Sequence, residues 1–174
     1  MSSQKPNSDR SHTIAVLVDN EPGVLARVIG IFAGRGYNIE SLTVSEVDAV
    51  KGYSRITIVT SGTDMVIEQI KALLDRLVPV HMVEDLTVQG PCLERELALV
   101  KVVNAGENRI EALRIADMFR ARAIDSTLNS FVFELTGSPK KLNAFIELMS
   151  GLGETEITRG GVVAISRGSG IGLQ

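Results

Sequence analysis

The chain contains no tryptophan, and its two tyrosines and five phenylalanines bring aromatics to only 4% of 174 residues. A sheet surface built to stack nucleic-acid bases needs aromatic side chains, and few are on hand. The core must instead be aliphatic, and the 44% of hydrophobic residues supplies Val, Ile, Leu and Ala for it. Cysteine occurs once, as Cys92, so no intrachain disulfide can form and nothing asks for an oxidising compartment. The two histidines, His12 and His81, have no metal-type spacing around them and read as structural residues. An excess of basic charge is also missing. The net charge is -3 and the pI about 5.5, which argues against a nucleic-acid footprint. No run approaches the roughly 20 apolar residues of a membrane span. The polar start, residues 1–11, lacks the apolar stretch of a signal peptide. A soluble, cytoplasmic protein is expected, touching neither membrane nor nucleic acid, with residues 1–11 as a disordered tail.

What is present is periodicity. Residues 12–18 (HTIAVLV) read as a buried strand and 19–23 (DNEPG) as a turn, with Asp19 or Asn20 capping the next helix and Pro22 in its first turn. Leu25, Val28, Ile29 and Phe32 recur at helical spacing, and Gly34 and Gly36 stop the helix. Strands follow at 38–44 and 53–60, joined by a polar hairpin loop at 45–52. Val66, Ile67, Ile70, Leu73, Leu74 and Leu77 mark a second amphipathic helix, and 80–88 a fourth strand. Gly90 and Pro91 break the pattern, and the same order then repeats. It reads strand 96–103, helix 110–120, strands 123–128 and 131–136, helix 142–149 and a final strand 162–166. Asn20 and Asn104 follow equivalent strands, and Phe32 and Phe119 end equivalent helices. Identity between the halves is weak, so the repeat is one of architecture.

The fold class expected is therefore α+β, with two ferredoxin-like βαββαβ domains at 12–90 and 91–174. In each, two helices cover one face of a four-stranded antiparallel sheet. No helix remains to cover the other face, so each half invites the other half or a second copy of the chain.

Catalytic chemistry is hard to find. Cys92 has no histidine near it in sequence. Glu94 and Glu96 straddle a strand start and read as solvated surface, and Asp64 and Glu68 as an exposed helix face. No phosphate-binding GxxxxGK[ST] occurs, and Gly168, Gly170 and Gly172 precede no helix and read as a frayed tail. One segment stands apart: Asp19-Asn20-Glu21-Pro22-Gly23-Val24-Leu25, joining a strand to a helix N-terminus. Free backbone N–H groups and a partial positive charge there suit a carboxylate. Gly23 has no Cβ to block a ligand's approach, and Asn20 offers both a donor and an acceptor. Those are the needs of an α-amino acid, although an ordinary capped turn would look the same.

The stretch DNEPGVLARVIGIFAGRGYNIESLTV, residues 19–44, resembles the opening of the ACT domain in the small subunit of acetohydroxyacid (acetolactate) synthase. The NE-x-G-x-L turn is shared by many ACT domains, whereas RVIGIFAGRGYNIESL, 27–42, is far more specific. REL-x-LVKV at 95–102 and GGVVAISRG at 160–168 also match that family, so the resemblance covers about residues 12–168. It implies that the N-terminal domain, 12–90, is an ACT domain. It implies a non-catalytic regulatory subunit that binds a large catalytic subunit, raises its activity and confers feedback inhibition by valine or a related branched-chain amino acid. Thiamine diphosphate, magnesium and FAD would belong to the catalytic subunit, with no cofactor in this chain. The effector would lie between two ACT domains of a homodimer. One would supply the turn, here Asn20 and Gly23 with Val24 and Leu25, and the other the start of the second strand, here Asn38 and Ile39.

Two rivals on the same topology fit less well. An acylphosphatase-like hydrolase needs an arginine in the first loop to hold phosphate, where this chain has Asp19 and Glu21. An RNA-binding module needs aromatics on the open sheet face, and only Tyr53 stands near it. An amino-acid sensor acting on a different enzyme remains as the alternative that the residues alone leave open.

Overall fold

Alternating and 3.6-residue apolar patterns build two units in the computed structural model, which describes residues 10–103 and 108–169. One unit comprises residues 10–93 with 164–169, the other 94–103 with 108–163. Residues 1–9, 104–107 (Asn104 among them) and 170–174 lie outside the described residues. Arg10 and Ser11, placed in the tail by the sequence, already begin the first strand.

The first unit runs β1 (Arg10–Asp19), α1 (Val24–Arg35), β2 (Ser41–Asp48), β3 (Tyr53–Gly62), α2 (Asp64–Asp75) and β4 (Val80–Asp85). Its sheet is antiparallel, in the order β2-β3-β1-β4. Ile14, Val16 and Val18 of β1 and Ile56 and Ile58 of β3 share one face, as a period of two requires. On them pack Val24, Val28 and Phe32 of α1 and Ile67, Ile70 and Leu74 of α2, at helical spacing. The Thr63 hydroxyl caps α2 by accepting from the Val66 N–H.

The second unit runs β5 (Cys92–Val103), whose first two residues belong to the first unit, α3 (Arg109–Phe119), β6 (Arg122–Ser126), β7 (Ser130–Gly137), α4 (Pro139–Ser150) and β8 (Glu154–Arg159). The strand order is β6-β7-β5-β8. Ala98, Val100 and Val102 meet Phe131, Phe133 and Leu135 beneath Ile115, Leu142, Phe145 and Met149. The fold is thus α+β with two βαββαβ units, the class read from the sequence.

Three expectations need correction. The last strand of the second unit is β8, ETEITR, and not the apolar run at 162–166. β8 is an edge strand with almost every residue exposed, so it lacks the buried alternation that announces a strand. The apolar run instead forms β9 (Val163–Ser166), which pairs with β5. Its Ala164 packs on Ala15 and Leu86, and the Arg167 N–H donates to the Pro91 carbonyl at 2.9 Å. The sheet face of the first unit opposite its helices therefore has a cover from this chain. Arg55, on that face, donates from Nη2 to the Ala164 carbonyl at 2.9 Å, and its burial there lowers its pKa. Finally, Glu96 is buried. Arg159 grips both its carboxylate oxygens at 2.7 and 2.5 Å while donating to Asn143 Oδ1, because a buried carboxylate needs a charge partner.

Candidate effector site

The turn between β1 and α1 is built by two residues of fixed habit. Pro22 sets φ for the second position of a β-turn, and Gly23, at φ 85° and ψ -7°, takes the left-handed third position of a type II turn. The Val24 N–H closes it on the Glu21 carbonyl at 3.4 Å. Gly23 is also the N-cap of α1, and its carbonyl accepts the first helical bond from Arg27 at 3.1 Å. No side chain caps the helix, contrary to the expectation for Asp19 and Asn20. Both are engaged elsewhere. Asp19 ends β1, and its Oδ1 lies 2.6 Å from His81 Nε2, with the Tyr53 ring 4.6 Å from the His81 ring. The Asn20 side chain donates to Glu46 at 3.3 Å, and its backbone N–H donates to the Gly52 carbonyl at 2.7 Å. The uncapped start leaves the Leu25 and Ala26 amides without helical acceptors, under the partial positive charge of α1. Among the described residues, a Cβ placed on Gly23 would meet no atom within 4 Å outside its chain neighbours, so the turn is uncrowded on that side.

Of the other residues expected at the site, Val24 is 3% exposed, and its side chain belongs to the core, leaving only its backbone to a ligand. Leu25 is outside the core, at 37% exposure. Asn38 and Ile39 lie between α1 and β2. Gly36, left-handed at φ 68°, ends α1, and the Tyr37 N–H returns to the Phe32 carbonyl at 2.9 Å. Gly34, expected to share in that stop, remains inside the helix. Asn38 is exposed, and Ile39 packs against the core. The Thr60 hydroxyl donates to the Asn38 carbonyl at 2.6 Å.

These two groups do not meet within one chain. Asp19, beside the turn, pairs with Tyr53 at one end of β3, whereas Asn38 is held by Thr60 near the other end. The seven steps from Tyr53 to Thr60 span about 24 Å at roughly 3.4 Å per step. Among the described residues, no cluster of His, Cys, Asp and Glu could hold a metal ion, and no helix is long and apolar enough to cross a membrane.

The sequence reading missed the partners of both histidines. His12 Nδ1 lies 2.8 Å from Asp85 Oδ2, both side chains buried, and His81 pairs with Asp19. Strand register decides such pairs, and register is not written in either histidine's local sequence.

Comparison with known proteins bears on what the turn serves. Residues 14–82 match a family model described as the AHAS small subunit-like ACT domain, and 95–168 one described as the small subunit of acetolactate synthase. A probable acetolactate synthase small subunit of Archaeoglobus fulgidus is 46% identical over 91% of this chain and 98% of its own length. The isozyme 3 small subunit of Escherichia coli is 44% identical over 91% of this chain and 96% of its own. The crystal structure of the acetolactate synthase small subunit from Thermotoga maritima superposes with a TM-score of 0.81 at 38% identity. It covers 92% of this chain and 99% of that one.

Proposed function

Because the chain belongs to the acetolactate synthase small-subunit family, we propose that it binds the large catalytic subunit, raises its activity and makes it responsive to valine or a related branched-chain amino acid. The chain itself performs no chemistry on pyruvate. Its part is to bind an effector and pass on the occupancy. The observation that carries the reading is the separation of the two residue groups. The open, uncapped turn and the Asn38–Ile39 segment lie at opposite ends of one sheet, so a site using both takes them from two chains.

A two-fold axis provides that arrangement. β2 is an edge strand, with Val44 and Val47 about half exposed. Antiparallel pairing of two such edges sets the turn end of one copy beside the Asn38 end of the other, twice over. In such a homodimer the effector carboxylate takes the Leu25 and Ala26 amides, with the α1 dipole behind them. Its ammonium takes side-chain and carbonyl oxygens near Asn20, where Asp19 and Glu46 add negative charge. Its aliphatic side chain lies against Leu25 and the partner copy's Ile39.

The test is a valine-inhibition curve of the catalytic subunit reconstituted with this chain. Asn20→Ala and Asn38→Ala each remove a hydrogen bond to a charged ligand, worth roughly 1.5–3 kcal/mol. The half-inhibitory valine concentration then rises about ten- to hundredfold, while activation without valine is kept. Wild-type curves for both variants place the effector elsewhere.

A further inference from the structure

The helix-covered face of the first sheet is aliphatic except at one end, where a row of polar groups crosses it. Asp85 of β4 and His12 of β1 are paired and almost wholly buried. Thr60 of β3 is fully buried and is the direct cross-strand partner of His12. Its hydroxyl in turn reaches Asn38, just ahead of β2. The row Asp85, His12, Thr60, Asn38 follows the strand order β4-β1-β3-β2 from edge to edge.

Hydrophobic residues would make a cheaper core here, since every buried polar group must find a partner. The row does not find them all. Asp85 has both oxygens engaged, Oδ2 by His12 and Oδ1 by the Thr87 N–H at 2.9 Å. His12 Nε2, however, is buried with no hydrogen-bond partner among the described residues. A row kept only for stability would not carry that cost. At its other end the row meets the candidate site, where Thr60 holds the segment that carries Asn38. Tyr37 and Glu40 are tied by backbone bonds to Phe32 and Val59, and between them the Asn38–Ile39 peptide is oriented by Thr60.

We propose that Thr60, which stands across the sheet from the buried His12, is a positioning residue of the effector site. It fixes the peptide that follows Asn38, and with it the direction in which the Asn38 side chain meets an amino acid bound at a second copy's turn. The inference rests on the function proposed above and adds residues that never touch the ligand.

Thr60→Val removes the donor and keeps a β-branched side chain of nearly the same shape, while Thr60→Ser keeps the hydroxyl. Each is reconstituted with the catalytic subunit, alongside Asn38→Ala, and read by valine inhibition, by activation without valine and by thermal melting. Thr60→Val raises the half-inhibitory valine concentration about three- to tenfold, as loss of one neutral hydrogen bond implies, with activation unchanged. Thr60→Ser stays within about twofold of wild type, the hydroxyl being retained. Thr60→Cys serves as a second hydroxyl-free variant if the valine chain does not fold. A wild-type valine curve for Thr60→Val or Thr60→Cys, with Asn38→Ala desensitised, overturns this inference and leaves the site standing. A serine variant as insensitive as the valine variant also overturns it, because the hydroxyl is then not the cause. If Asn38→Ala too keeps full sensitivity, both the site and its positioning residue fail.

Discussion

At φ 85°, Gly23 holds a backbone conformation that costs an ordinary residue about 1–2 kcal/mol. Strain and access can be separated there, because an added Cβ meets nothing within 4 Å among the described residues. Gly23→Ala should lose about 1 kcal/mol of stability and part of its valine response. Gly23→Asp carries the same strain, places a charge beside the ligand carboxylate and should abolish the response. Equal inhibition curves for the two would show that backbone strain alone is at work. Asp48 allows a pH test. The Lys51 backbone N–H, at 2.9 Å, holds its carboxyl below the usual value, helped by the Val50 N–H and the Lys51 charge against some desolvation. A lowered carboxyl pKa stabilises the β2–β3 hairpin above the ordinary carboxylate value, and that support is lost as pH falls through the folded value. In an NMR titration, Asp48 should have its midpoint below the ordinary aspartate value. A midpoint at or above that value would contradict the turn described here. At this scale the sequence was only partly legible. Pro22-Gly23 carried a type II turn signal that names the true cap, but Asp19 and Asn20 are such common N-cap residues that they masked it. Thr60 and His12 were illegible, because their roles come from cross-strand register.

Helices and interior strands were the most legible elements, since each buries one face at its own period. β8 and β9 exchanged places in the reading because an edge strand can be almost wholly polar while a short apolar run draws attention to itself. That error also hid the partner of Glu96. Register places Arg159 of β8 opposite Ala98 of β5, within reach of the Glu96 carboxylate. Arg159→Ala strands that buried charge. Breaking a buried pair costs about 3–5 kcal/mol, and the partial exposure of Arg159 reduces this to roughly 2–3 kcal/mol. The urea midpoint should fall by the corresponding amount with an unchanged slope. A midpoint within experimental error of wild type would mean that Glu96 finds water or another partner.

For the whole molecule, the repeated βαββαβ order was readable from periodicity, whereas the pairing of the turn with Asn38 and Ile39 in one candidate site came only from resemblance to a family. Physics explains the gap. The turn and the Asn38 segment lie about 24 Å apart along one sheet, so no single-chain argument from spacing could join them. The account's central claim is that two copies complete each site, and mixed dimers test it most directly. Gly23→Asp chains and Asn38→Ala chains, each by itself abolishing or strongly weakening the valine response, are combined, denatured, refolded together and reconstituted with the catalytic subunit. In a mixed dimer one site carries both lesions, and the other draws an intact turn and an intact Asn38 from different chains. Valine binding measured by calorimetry should therefore reappear at one site per mixed dimer, together with partial inhibition. If mixing restores neither binding nor inhibition, although the mixed dimers form, the two groups do not meet across a dimer and the account is wrong.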